Sequence, residues 1–162
     1  MSAVWVVAGA AVIAFGICDL FLTVLHYESP GLVTLRAYSV AWKGARWSTA
    51  PLPPRARAFT RSMVAPALVV VQIAVWLGLQ VVGFALLYYP AISSHHFVVG
   101  RTGHSFGTTL YFSAASLTSL SFSDVEPRSL AYHSVAAAET LVGLGILTLT
   151  ISYVLNLYRV LQ

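Results

Sequence analysis

The chain has 162 residues, of which 58% are hydrophobic and only 9% are charged, and its formal net charge is +4 at pH 7. Because soluble domains carry about 25% charged residues, this composition excludes an ordinary soluble domain and predicts an integral membrane protein. The basic residues lie in the predicted loops, where positive charge orients a chain in a bilayer, and so they do not indicate nucleic-acid binding.

Three apolar segments are long enough to cross the hydrocarbon core of a bilayer, which takes about 20 helical residues. They cover residues 3–27, 64–89 and 131–158, and their only fully charged side chains are Asp19 and Glu139. Lipid offers no partner to a backbone N–H or C=O group, so each segment is predicted to be a helix. The expected fold class is therefore an all-α membrane protein with three transmembrane helices.

The first segment carries three polar residues, Asp19, Thr23 and His26, whose spacing places them on one helical face. Ionisable groups are costly within a membrane and mark candidate functional sites. We favour a polar stripe that hydrogen-bonds to a neighbouring helix, with a proton-sensitive pair of Asp19 and His26 as the alternative. The single cysteine, Cys18, lies in the same segment, so an intrachain disulfide is excluded.

Most of the basic residues lie between the first two segments. They are Arg36, Lys43, Arg46, Arg55, Arg57 and Arg61. The positive-inside rule makes this connector cytoplasmic, which predicts a multi-pass protein of the cell membrane with its N-terminus outside and its C-terminus cytoplasmic. Residues 28–54 mix aromatic and basic side chains and are expected to form an interfacial helix that ends at the prolines near residue 54. Whether that helix couples to a gate or only anchors the chain stays open.

The loop after the second segment contains His95, His96 and His104. No cysteine or carboxylate stands beside them, and their spacing fits no standard metal site. We therefore expect a solvated loop, with a proton effect and metal binding as alternatives.

Residues 108–127 read TTLYFSAASLTSLSFSDVEP, a short amphipathic run followed by small, hydroxyl and aromatic side chains. This stretch resembles the pore loop of the potassium-channel superfamily, in which a pore helix reads roughly L-Y-F-S-x-x-T-L-T and a filter reads T-V-G-Y-G-D before a proline. The matching positions are Leu110, Tyr111, Phe112, Ser113, Leu117, Thr118, Asp124 and Pro127. The resemblance implies a re-entrant pore helix and filter loop, one per chain, in a homotetrameric channel.

The filter and ion-binding residues that this resemblance implies are Thr118, Ser119, Leu120, Ser121, Phe122, Ser123 and Asp124. Serine stands at both positions where the family has glycine, Ser121 and Ser123. Inward-facing carbonyls need left-handed backbone angles at alternate residues, which glycine adopts freely and which cost a serine about 1–2 kcal/mol. Over four chains the strain would reach about 8–16 kcal/mol. We therefore expect a rearranged loop with hydroxyls and water at the ion, altered selectivity, and Asp124 attracting cations at the outer mouth.

The third segment contains Gly143 and Gly145 near its middle, and Gly143 falls where the family has its hinge glycine. A gating hinge and close helix packing are both open for these glycines. By the same resemblance, Glu139 should lie behind the filter, pair with pore-loop hydroxyls and support the filter.

Together these features predict a cation-channel subunit with an added helix and connector in residues 1–63 and a pore domain in residues 64–162. The expected permeant ion is a monovalent cation, potassium first, with no cofactor, no other metal, no catalytic site, no nucleic-acid partner and no small-molecule substrate. The alternative is a poorly conducting channel-like scaffold or sensor whose serine loop has collapsed. An intramembrane hydrolase is disfavoured, because neither His104 nor His133 has a serine elbow beside it.

Overall fold

The computed structural model describes residues 2–25, 54–100, 103–120 and 124–160. In this part of the chain there are four helices and two short strands. In chain order they are α1 (Ser2–Leu25), α2 (Pro54–Ser93), β1 (Phe97–Val99), α3 (Phe106–Leu117), β2 (Val125–Pro127) and α4 (Leu130–Val160).

Three of these helices are long and apolar enough to cross a membrane, over Ala3–Val24, Ala67–Ser93 and Leu130–Ser152. The prediction of an all-α membrane protein is thereby confirmed. Helix α2 begins earlier than its apolar segment, at Pro54, whose fixed φ angle and missing N–H suit the first position of a helix. The predicted division into residues 1–63 and 64–162 falls inside α2 and stays a prediction. His26 and the connector up to residue 53 lie outside the described residues.

Helices α1 and α2 pack antiparallel through small residues. A Cβ added at Gly9 would lie 2.6 Å from the Gly83 carbonyl oxygen, and one at Gly83 would lie 2.7 Å from Cγ1 of Ile13. Such close approach of two backbones is how membrane helices gain packing contacts, because lipid supplies no hydrophobic drive between them.

A buried polar contact adds to this packing, since the Trp76 indole N–H donates to the Asp19 carboxylate at 3.0 Å. Asp19 is 3% exposed and Trp76 is 1% exposed. The predicted bond between the polar stripe of α1 and a neighbouring helix is thus confirmed for Asp19. The Thr23 hydroxyl donates to the backbone oxygen of Asp19, within its own helix.

An aromatic core holds together the end of the fold at which α2, α3 and the two strands meet. Its buried members are Phe84, Tyr88, Ala91, Ile92, Phe97, Phe112 and Val125. The rings of Tyr88 and Phe112 meet edge-on with centroids 5.1 Å apart, and those of Phe97 and Phe112 at 5.3 Å. This core fixes the position of α3 against α2.

The two strands form an antiparallel ladder that the sequence did not predict. Phe97 is opposite Pro127, Val98 opposite Glu126, and Val99 opposite Val125. The ladder joins the loop before α3 to the loop after it, so both ends of the predicted pore loop are tied together.

Candidate functional site

The site is built around α3, which has 12 residues and is therefore only about 18 Å long. That length is too short to cross a hydrocarbon core of about 30 Å. The helix starts at a regular N-cap, where the Ser105 side chain accepts from the Thr108 backbone N–H. The Thr108 hydroxyl also donates to the Gly103 carbonyl oxygen at 2.7 Å. Helix α3 is thus a half-helix with a defined beginning, as the resemblance implied.

A fully buried carboxyl group connects α3 to both long helices beside it. Ser113 of α3 donates to Glu139 of α4 at 2.5 Å, and Tyr88 of α2 donates to the other carboxylate oxygen at 2.9 Å. All three residues are 0% exposed. The structure therefore places Glu139 against a hydroxyl of α3, the helix of the predicted pore loop, while its support of the filter stays a prediction. Tyr88 was not singled out from the sequence.

The Ser113 hydroxyl lies between two acceptors, because the backbone oxygen of Val81 is 3.0 Å away and Glu139 lies on the other side. A hydroxyl has one hydrogen and donates to one acceptor at a time. The group nevertheless touches α2, α3 and α4 at once, so it fixes the spacing of the three helices.

Helix α3 ends in a Schellman turn at Ser119. Ser119 has a φ of 58°, its N–H donates to Ser116 O at 3.2 Å, and the Leu120 N–H donates to Ala115 O at 2.8 Å. This pair of bonds closes a helix with one left-handed residue, a place usually taken by glycine. The Thr118 hydroxyl turns back and donates to Ala114 O at 2.7 Å. Several carbonyl groups at the C-terminal end of α3 are therefore occupied by the chain itself.

This turn alters the expectation for the filter. The sequence placed the left-handed residues at Ser121 and Ser123, whereas the described chain already has one at Ser119. Ser121, Phe122 and Ser123 lie outside the described residues, so the strain expected there stays a prediction. At Ser119 the left-handed angle costs about 1–2 kcal/mol. The chain thus changes direction immediately after α3.

Helix α4 contacts the last turn of α3 directly. A Cβ added at Gly143 would lie 2.0 Å from the Leu117 carbonyl oxygen, and the Thr140 hydroxyl donates to Ser116 O at 2.8 Å. Nothing lies within 4 Å of a Cβ added at Gly145. A gating hinge and close helix packing were both predicted as possible roles of these two glycines. Gly143 packs closely against α3, and Gly145 does not. A hinge at either position stays a prediction.

Asp124 lies at the other end of the predicted filter loop and is exposed. Its backbone oxygen accepts from the Gly100 N–H at 2.8 Å, which extends the ladder by one bond beyond Val125. The ladder thereby fixes the backbone of this residue relative to α3. Its attraction of cations stays a prediction.

A cavity of about 290 Å³ lies between the end of α3 and the N-terminal half of α4. Among the residues that line it are Ser116, Ser119, Leu120, Pro127, His133 and Thr140. The cavity adjoins the turn at Ser119, where the predicted filter loop begins.

A family model described as "Ion channel" matches residues 68–160, more than half of the chain. The chain is 26% identical over 157 residues to "Uncharacterized membrane protein YdjJ" of Bacillus subtilis (strain 168). That alignment covers 96% of this chain and 45% of the relative, so the chain spans less than half of that protein's length. No solved structure matches the chain.

Proposed function

The chain belongs to the ion channel family whose model matches residues 68–160, and from this premise we propose that it is one subunit of a fourfold channel for monovalent cations, with potassium as the first candidate. Membership of that family points to a channel rather than an enzyme. The observation that carries the proposal is the half-helix α3, which is held between two membrane-spanning helices and followed by a hydroxyl-rich loop.

A single chain supplies only one wall of such a path, so the site is incomplete without further copies. The proposal is supported by the apolar face of α4, on which exposed side chains recur every three or four residues. They are Leu141, Leu144, Leu147, Ile151 and Leu155. We propose that four α4 helices surround the path, with lipid and neighbouring copies covering the remaining apolar surface, and that the basic connector is cytoplasmic and α3 is reached from outside.

The chemistry of the loop supports a cation path with altered selectivity. A potassium filter replaces the water around an ion with stacked backbone carbonyls. Here the turn at Ser119 occupies Ala115 O and Ser116 O, and a serine stands at both glycine positions. We propose that serine hydroxyls and water supply part of the ligation, and that Asp124 concentrates cations at the outer mouth.

The same turn favours a second candidate of a different class, a channel-like scaffold or sensor that conducts poorly. A helix whose C-terminal carbonyls are satisfied by its own chain offers fewer free oxygens to a dehydrated cation. On this proposal the fold is kept for assembly or sensing, and the path stays closed to ions.

Flux into liposomes tests both candidates. The purified chain is reconstituted with potassium or sodium as the internal cation, and the flux is compared with that of protein-free vesicles. The main variant carries Ser121→Gly with Ser123→Gly, and the matched control carries Ser121→Ala with Ser123→Ala, which removes both hydroxyls without the freedom of glycine. We expect weak discrimination in the natural chain and a preference for potassium only in the glycine variant. Equal selectivity in all three proteins contradicts the filter proposal, and absence of flux in every salt favours the scaffold.

A further inference from the structure

Two histidine rings meet at the ends of the loop that joins α2 to α3. Nδ1 of His95 lies 3.1 Å from Nε2 of His104, and the ring centroids are 4.3 Å apart at an interplanar angle of 64°. Both residues are exposed. The sequence offered three histidines in this loop without a metal-site spacing, and the fold brings two of them into contact.

The backbone at His95 is unfavourable for a histidine. Its φ is 60°, its N–H donates to Ile92 O at 3.2 Å, and the His96 N–H donates to Ala91 O at 3.0 Å. These bonds form a Schellman turn at the end of α2, in which the left-handed position normally holds glycine. A side chain there costs about 1–2 kcal/mol. Histidine therefore occupies a position that glycine would adopt with less strain.

We propose that His95 and His104 form a binding site for a divalent transition-metal ion. Nitrogen ligands at 2.0–2.1 Å from a zinc ion lie about 3.3 Å apart in a tetrahedral arrangement and about 2.9 Å apart at a right angle. The observed separation of 3.1 Å falls between these values, so the two nitrogens already have the spacing of two ligands of one ion, and a change in ring orientation would direct both at it. In the metal-free protein, one ring donates its N–H to the other.

The two imidazoles select the class of ion. Neutral imidazole suits zinc, copper and nickel, whereas calcium and magnesium require oxygen ligands. In the described ranges no group of three or more histidine, cysteine, aspartate or glutamate side chains could hold a metal. Water therefore completes the coordination, which makes the site open and reversible rather than structural.

The histidine pair lies between the end of α2 and the start of α3. His95 lies two residues after Ser93, the end of α2, and His104 directly precedes Ser105, the N-cap of α3. A shared ion would bridge the outer end of a spanning helix to the start of the half-helix and close the loop that carries β1. An effect of that bridge on ion flux would rest on the proposed function, but the binding itself does not.

The test measures metal binding to the purified, tag-free full chain in detergent, with zinc or nickel chloride as probe and magnesium chloride as the control ion. Calorimetry gives the affinity, and thermal melting gives the stability with and without metal. The variants are His95→Gly and His104→Ala, with His96→Ala as the matched control, because the His96 ring is near Tyr132, with centroids 6.3 Å apart.

We expect saturable zinc binding to the natural chain and to the His96 variant, and no effect of magnesium. Loss of either histidine should weaken zinc binding at least about 10-fold. Changes to residues that only hydrogen-bond to a metal ligand already weaken metal binding by about 10- to 100-fold. Without metal, His95→Gly should melt no lower than the natural chain, because glycine relieves the left-handed position. The proposal is overturned if the natural chain does not bind zinc, if either ligand variant binds zinc as tightly as the natural chain, or if His96→Ala weakens binding as much as the ligand variants do.

Discussion

The contact between Gly143 and the end of α3 gives the sharpest test of the site. Replacing Gly143 with alanine would place a methyl group 2.0 Å from Leu117 O and 3.0 Å from its carbonyl carbon. Ordinary carbon–oxygen contacts begin near 3.4 Å, so α3 and α4 would have to separate by about 1.4 Å at this point. Overpacking of this kind costs about 1–3 kcal/mol in each chain. The displaced group belongs to the last turn before Ser119, so the start of the filter loop would move with it.

Gly145→Ala is the matched control, because its methyl group would meet nothing within 4 Å. Alanine is favoured over glycine in a helix by about 1 kcal/mol, so this variant should be neutral or slightly stabilised. Both variants are measured by thermal melting in detergent and by cation flux in liposomes. We expect Gly143→Ala to melt lower and to lose flux, and Gly145→Ala to retain both.

The two measurements separate close packing from a hinge. If Gly143→Ala melts like the natural chain but loses flux, the glycine acts through bending, and the close contact is not what matters. If Gly145→Ala loses flux at unchanged stability, the hinge is at Gly145. Equal behaviour of both variants in both assays would refute the reasoning from the contact with Leu117.

Two buried polar groups give further predictions. Asp19→Ala removes the acceptor of the Trp76 indole N–H and should lower the free energy of unfolding by about 1–3 kcal/mol, while Asp19→Asn keeps an acceptor and should stay close to the natural chain. Thermal melting and the yield of assembled protein measure this, and equal stability of the two variants would argue against the bond. Glu139→Gln can accept from Tyr88 and donate to Ser113, so it should melt close to the natural chain, whereas Glu139→Ala leaves the buried Tyr88 hydroxyl without this acceptor and should lose about 1–3 kcal/mol. If glutamine destabilises as much as alanine, the negative charge itself is required.

The spanning helices could be predicted from composition and length, because lipid leaves a long apolar segment no alternative to a helix. The start of α2 at Pro54 could not, since residues before the apolar segment carry charges and show no apolar run. The pairing of β1 with β2 could not be predicted from the sequence either. Each strand has three residues, and the two are separated by the whole of α3, so no local pattern marks their pairing.

At the site, the contact between Glu139 and a hydroxyl of α3 could be predicted from the resemblance to a known pore loop. Tyr88 was missed because its bond to Glu139 joins residues 51 positions apart. Its neighbour Tyr89 carries the same hydroxyl-bearing ring, so no local signal distinguished Tyr88. The turn at Ser119 was missed for another reason. The left-handed residue that ends a helix is usually glycine, and here a serine takes that place, so the sequence carries no mark of the turn.

Three residues of α4 contact α3 directly. Glu139 reaches Ser113, Thr140 reaches Ser116 O, and Gly143 lies against Leu117 O. These three positions of α4 lie within about one turn and meet the last two turns of α3. Packed helices move as rigid elements because their interiors are dense and resist compression. A shift of α4 along this contact would therefore carry the end of α3 with it, and with that end the turn at Ser119, where the predicted filter loop begins.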